Sequence, residues 1–183
     1  MNKVVFGLKN AHYAAITNEE TPTFGTPVAF PGAVSLGLTP KGESTPFYAD
    51  DGLYYSSDKN NGYDGELEAA DIPQSFLINH LGFALDDQNN VVERDDDTPA
   101  PFALLFEIDG DEHARKVALF KCLASRPEVG AETKKETAEP KTTKLKFIAS
   151  PLKNVVKLNS TPTSLNTATW YTTVPFPDPV PSA

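Results

Sequence analysis

The chain has 183 residues, a formal net charge of −9 and 39% hydrophobic residues. This length suits one domain with a sizeable core, and the apolar content excludes a globally disordered chain. No run of about 18 apolar residues is present, which excludes a membrane-spanning helix. The acidic balance argues against a protein whose main task is to grip nucleic acid. The single cysteine, Cys122, excludes a disulfide scaffold and a cysteine-rich zinc site and is typical of synthesis in a reducing cytoplasm.

The first third of the chain begins with strand patterns and then loses them. Residues 1–7, 9–17 and 34–39 are strand candidates. Residues 40–61 are poorly periodic but contain several aromatic side chains, which a disordered linker would lack. We therefore predict a long functional loop that packs on something.

A strand with two unlike faces follows this loop over residues 62–70. Because side chains alternate along a strand, three acids share one face and three apolar side chains share the other. The faces carry Asp64, Glu66 and Glu68, and Tyr63, Leu67 and Ala69. A short helix is then predicted over residues 72–81, with Asp71 as the N-cap, Pro73 in the first turn and Gly82 at the C-terminal stop.

Three further strands are predicted at residues 102–108, 117–123 and 142–149. Residues 109–111 (DGD) form a hairpin turn between the first two of them. The second is apolar on both faces and is therefore predicted to be buried on both sides, with Cys122 on the face of Phe120. From residue 151 the chain is rich in Ser, Thr, Asn and Pro, which favours an extended, polyproline-like segment.

No pattern of residues supports an enzyme. Cys122 lies in an apolar run and is interpreted as a buried small hydrophobe, and no histidine lies at metal-ligand spacing. Within residues 86–97, Asp86, Gln88 and Asn90 fall at alternate positions, as ligands of a calcium loop would, but Val91 occupies the place of the turn glycine. We expect no catalytic residue, metal site or cofactor. An acidic middle followed by a basic stretch fits either head-to-tail contact between copies or two solvated faces.

Several segments in consistent order resemble the major tail proteins, or tail tube proteins, of long-tailed, non-contractile phages of Gram-positive bacteria. No single segment is a signature, and their joint order carries the resemblance. The matching segments are MNKVVFGLKNAHYA (1–14), TPVAFPGAV (26–34), STPFYAD (44–50), NNGYDGELE (60–68), PFALLFEIDGD (101–111), ASRP (124–127), EP (139–140) and ASP (149–151).

The resemblance implies a mainly β protein, a β-sandwich or barrel-like fold with one flanking helix. It divides the chain into a tail tube domain over residues 1–157 and a C-terminal extension over residues 158–183. The family forms rings, typically of six copies, that stack into a self-assembled tube in the virion. Implied partners are further copies, the tape measure and tail terminator proteins, and DNA as non-specific cargo during ejection, with no membrane.

The resemblance also assigns roles to residues. The segment 40–61 becomes a ring-stacking loop with Phe47, Tyr48, Asp50, Tyr54 and Tyr55. The face with Asp64, Glu66 and Glu68 lines the lumen, where acids repel DNA phosphates, or lies on the tube exterior. The C-terminal extension becomes an arm bound to a neighbour or an exposed tether. Its aromatic side chains favour the arm, and its clustered prolines favour the tether. The residues that would anchor such an arm are Trp170, Tyr171 and Phe176.

The alternative from another class is a monomeric β-sandwich binding module for a host-surface carbohydrate or protein. Such a module needs exposed aromatic side chains, and Tyr54, Tyr55, Trp170 and Tyr171 are available to supply them. The two readings differ in self-association, because a binding module should not polymerise.

Overall fold

The computed structural model describes residues 7–49, 52–109, 114–129 and 141–177, and only the backbone of residues 43–49 and 52–58. This part of the chain is mostly antiparallel β-sheet with one α-helix, which confirms the mainly β prediction. The helix α1 is Gln74–Leu81. The strands are β1 (Leu8–Asn18), β2 (Thr23–Phe24), β3 (Val28–Ala29), β4 (Ala33–Ala49), β5 (Gly52–Ala69), β6 (Ala84–Leu85), β7 (Val91–Val92), β8 (Phe102–Ile108), β9 (Arg115–Ala124), β10 (Thr143–Ser150) and β11 (Lys157–Asn159).

Nine of these strands form one sheet in the order β2-β1-β8-β9-β10-β5-β4, with β3 added to β1 and β11 added to β9. Strands β6 and β7 form a separate small ribbon. The hairpin predicted between β8 and β9 is confirmed by their antiparallel pairing, although most of its turn lies outside the described residues. The first predicted strand, residues 1–7, lies outside them as well, except for Gly7.

The sheet has a hydrophobic core on each side. The helix-side core contains the α1 side chains Phe76 and Leu81 together with Phe102, Leu119 and Phe147. The tail-side core lies on the opposite face, where the C-terminal segment packs over β1, β8 and β9. Its buried members are Ala14, Ala103, Leu105, Ala118, Phe120, Leu152, Trp170 and Val174. Each fully buried large apolar side chain contributes about 1.5–3 kcal/mol to the stability of the fold. The helix and the C-terminal segment, which cover the two faces, therefore both stabilise the sheet.

Strand β9 is buried on both faces, as predicted, but its alternation is interrupted. Phe102 pairs with Cys122 whereas Leu104 pairs with Leu119, so two residues on β8 face three on β9. This β-bulge turns Cys122 to the helix-side core with Leu119 and leaves Leu123 exposed on the other face. The prediction that Cys122 shares a face with Phe120 is therefore wrong. The sequence pattern could not reveal this shift, because a strand that is apolar on both faces keeps the same pattern when its side chains exchange faces.

The helix begins at Gln74, two residues later than predicted. Pro73 has an extended ψ of 135° and is the N-cap in place of Asp71, whose carboxylate instead accepts the N–H of Ile72. The predicted end is confirmed, because Gly82 adopts the left-handed conformation (φ 83°) and donates its N–H to the carbonyl of Leu77.

Residues 40–61 are not an irregular loop, and that part of the prediction is wrong. Strands β4 and β5 pair from Ala33 opposite Ala69 out to Ala49 opposite Gly52. Strand β10 pairs with β5 only from Tyr63 to Ala69, so the ribbon beyond Tyr63 has two strands. Periodicity failed to reveal this hairpin because alternation marks strands that cover a core, and backbone hydrogen bonds leave no such mark.

The C-terminal segment is also not an arm that leaves the domain within the described residues. Lys157–Asn159 pairs with β9, which places the predicted boundary at residue 157 inside a strand. Trp170 is 1% exposed, and Phe176 packs on Phe120 with ring centroids 4.8 Å apart. The interpretation of these side chains as anchors on a neighbour is therefore corrected, because they cover this chain's own sheet.

We expect Gly62→Ala to lower the free energy of unfolding by about 2 kcal/mol or more. Gly62 has a φ of 102°, and an added Cβ would collide with the carbonyl oxygen of Ala149. Gly37→Ala is the matched control, because a Cβ there meets open space. Urea unfolding of both variants measures the difference. An equal effect of the two substitutions would contradict this account of Gly62.

Candidate functional site

Strand β5 presents its acids to solvent in the predicted alternation. Tyr63, Leu67 and Ala69 face the helix-side core, with Leu67 and Ala69 buried. The acids of the other face are Asp64, Glu66 and Glu68. We call this face, with the neighbouring outward side chains of β4 and β10, the open sheet face. It continues the sheet surface that the C-terminal segment covers over β1, β8 and β9.

Lysines neutralise the acids of the open sheet face. Lys144 Nζ lies 2.8 Å from Glu66 Oε1, and Lys41 Nζ lies 3.4 Å from Asp64 Oδ1. Lys146 is directly opposite Glu66 on β10. Three acids therefore share this face with three lysines. The sequence pattern of one strand could not show this, because the lysines come from two other strands.

Hydrogen bonds and charge keep two side chains of this face, Glu68 and Lys144, ionised. The hydroxyl of Thr142 donates to the Glu68 carboxylate and has the larger effect in lowering its pKa. The hydroxyl of Ser35, whose Oγ lies 3.0 Å from Glu68 Oε2, donates as well and lowers the pKa further. The hydrogen bond and charge of Glu66 raise the pKa of Lys144. Both groups stay charged around neutral pH, so the face is a balanced polar surface. Repulsion of phosphates therefore does not follow from this face alone.

The projecting part of the β4–β5 hairpin carries the predicted stacking residues near its end. Register places Phe47 opposite Tyr55 and Tyr48 opposite Leu53, so the pairing gathers aromatic positions from both strands. Tyr54 lies between them on β5. The side chains of these five residues, and Asp50 altogether, lie outside the described part of the chain.

The C-terminal aromatic side chains are held inside the domain. The indole N–H of Trp170 donates to Asn166 Oδ1 at 3.3 Å. The ring of Tyr171 stacks on His12 with centroids 4.5 Å apart, and Lys116 Nζ lies 4.9 Å from the Tyr171 centroid. Two of the four aromatic residues that a sugar-binding surface would use are thus engaged within the fold.

Two residues that sequence analysis weighed for chemistry, Cys122 and Asp86, have structural surroundings. The Cys122 thiol is completely buried, and burial raises its pKa, so it is not a thiolate nucleophile. The Asp86 carboxylate caps its own turn through the N–H groups of Gln88 and Asn90. Within the described ranges, no three His, Cys, Asp or Glu side chains are grouped to hold a metal ion. His113 lies outside those ranges.

In the described part of the chain, no helix is long and apolar enough to cross a membrane.

His80 is a buried titratable side chain that sequence analysis did not single out as a core residue. It is 2% exposed, and its ring lies 5.2–5.3 Å from those of Tyr13, Phe76 and Phe102. Its Nδ1 has no hydrogen-bond partner. Burial lowers its pKa, with a hydrogen bond to the backbone of Ala100 opposing the effect. This side chain is a structural member of the helix-side core.

In comparisons with known proteins, no family model matches this chain, and no curated protein shows significant similarity to it.

Acid should destabilise the fold partly through His80. Because its folded-state pKa is lowered, its contribution is complete above the ordinary histidine value of 6.5 and is lost as pH falls through and below that value. We expect His80→Gln to reduce the drop in urea midpoint between about pH 7.5 and about pH 5.5. Asn79→Gln, at an exposed site on the same helix, should keep the full drop. Identical pH dependence in the His80 variant would contradict the assignment.

Proposed function

We propose that this protein is a tail tube subunit of a long-tailed, non-contractile phage, which assembles through stacked rings into the conduit for DNA ejection. The ordered sequence segments first suggest this role. The mainly β fold and the helix α1 at the flank of the sheet agree with the architecture that the resemblance implies. Neither feature is specific to phage tails, so the proposal depends on a further observation.

The projecting hairpin is the observation that carries the proposal. Beyond Tyr63, β4 and β5 pair with each other and, in the described part, with no third strand. An isolated two-stranded ribbon is marginally stable in water, whereas a third strand or a packed surface stabilises it. A ribbon that extends from Gly42 to Ala49 on one strand therefore suits a structure completed by contact with another molecule. Another copy of the chain, in the next ring, would supply that contact.

The free edge of β4 supports assembly in a second direction. Strand β4 is the terminal strand of the sheet, so its outer backbone groups are unpaired among the described residues. Long unprotected edges invite pairing with other chains, and natural proteins usually shorten, cover or close them. A closed ring of subunits removes such edges from every copy. This edge thus supports lateral contact, and the hairpin supports contact between rings.

The alternative binding module has less support. The indole of Trp170 is buried, and Tyr171 stacks on His12, so neither offers an open face for a sugar. The projecting ribbon also has no evident use in a module that remains monomeric. We therefore retain self-assembly as the proposed function.

The first test is negative-stain electron microscopy of the full-length protein, fresh and concentrated. We expect rings or hollow tubes. The hairpin test replaces residues 43–59 by Asn-Gly between Gly42 and Asn60, which pair directly. A two-residue Asn-Gly turn suits such a hairpin. Because the core stays intact, this variant should be folded and unable to form tubes.

Leu165→Ser is the control for the hairpin test, because this side chain is fully exposed on the C-terminal segment. It should form the same assemblies as the parent protein. Circular dichroism and thermal unfolding confirm that both variants are folded. Normal tubes from the hairpin variant would contradict the stacking role. Uniform small particles from the parent protein at every concentration would remove the direct support for self-assembly.

A map of the assembled tube tests the lumen proposal separately. We expect the open sheet face, with Asp64, Glu66 and Glu68, to line the bore, because a charge-balanced polar surface gives DNA neither an attractive nor an apolar wall. Electron cryo-microscopy of the tubes locates β5 relative to the axis. Placement of the three acids on the outer wall would end the lumen assignment and leave the assembly proposal standing.

A further inference from the structure

A groove of about 460 Å³ lies beside the free edge of β4. Its floor is mainly apolar and is shared by the beginning of β1, the end of β8 and the beginning of β9, and Ser35, Arg115, Lys157 and Asn159 add polar groups to the lining. The apolar lining consists of Leu8, Leu36, Leu38, Phe106, Ile108 and Val117. Val34, at the rim, is 55% exposed. The combination of an unpaired strand edge and an adjacent apolar floor suits an extended peptide, which pairs through its backbone and buries alternate side chains.

Gly7, which directly follows residues 1–6 in the sequence, itself lines the groove. Its φ of 75° is a left-handed conformation, which changes the direction of the chain and which glycine adopts without strain. Its carbonyl accepts the N–H of Asp109, which holds this residue against the end of β8.

The residues before Gly7 have the composition that the groove requires. Residues 1–6 read MNKVVF, and Val4 and Phe6 fall on one face of an extended chain. Six extended residues span about 20 Å. This reach is sufficient to run along the first part of β4, where Val34, Leu36 and Leu38 lie.

We infer that residues 1–6 of the same chain dock in this groove as an added strand, with Val4 and Phe6 on its apolar floor. This inference does not depend on the proposed function. It concerns the beginning of β4 and leaves the projecting hairpin free. If it holds, the first segment covers part of the β4 edge, and lateral contacts between copies involve the remainder.

Hydrogen exchange of the full-length protein, read by mass spectrometry, tests the inference. We expect the amides of residues 1–6 to exchange at least about tenfold more slowly than in a free peptide, the equivalent of ~1.4 kcal/mol. Leu36→Lys puts a charge into the groove and should abolish this protection. Thr39→Lys, at an exposed site on the opposite face of the same strand and outside the groove lining, should preserve it.

Phe6→Asp covers the case in which Leu36→Lys fails to fold. It changes no residue of either described core and should release residues 1–6 while β8 and β9 keep their protection. Measurements at two protein concentrations separate the source of the strand. Protection that persists on dilution supports docking within one chain. Protection that is lost on dilution would mean that the segment docks on a neighbouring copy. Exchange at the free-peptide rate in the parent protein would mean that the segment does not dock. Either result overturns the inference.

Discussion

Two adjacent strands that are apolar on both faces impose the main constraint on this structure. Every residue from Phe102 to Phe106 in β8 is less than 9% exposed, and so are six of the ten residues of β9. A sheet with such strands at its centre has to be covered on both sides, because each uncovered side would leave a large apolar surface in water. The remainder of the chain supplies the two covers.

The two covers differ in regularity. On one side, α1 and the inward side chains of β5, β4 and β10 enclose the helix-side core, to which Tyr13, Phe76 and His80 contribute a compact aromatic cluster. On the other side, an almost strandless C-terminal segment packs Trp170 and Val174 into the tail-side core. A segment rich in proline cannot pair as a central strand, but it can cover a sheet face with its side chains.

The part of the sheet that remains uncovered is the part with a charged and balanced surface. The ion pairs of Lys144 with Glu66 and of Lys41 with Asp64 are exposed, so they are screened by water and contribute little to folding. Their arrangement instead sets the character of the surface that another molecule would meet. The same region of the sheet continues into the two-stranded hairpin and ends at the free edge of β4. The uncovered face, the hairpin and the free edge therefore lie next to one another in the sheet.

The sequence by itself determined the mainly β class, the helix end at Gly82 and the alternation of β5, β8 and β10. These are local: a left-handed stop or a period of two is written in neighbouring residues. Only the tertiary structure decided the bulge that turns Cys122, the hairpin over residues 40–61, the inward packing of Trp170 and the lysines that balance the β5 acids. Each depends on a partner distant in sequence or on backbone pairing without a hydrophobic period. The physical reason is the same in all four cases, because register and burial are properties of contacts, and one strand does not specify what lies beside it.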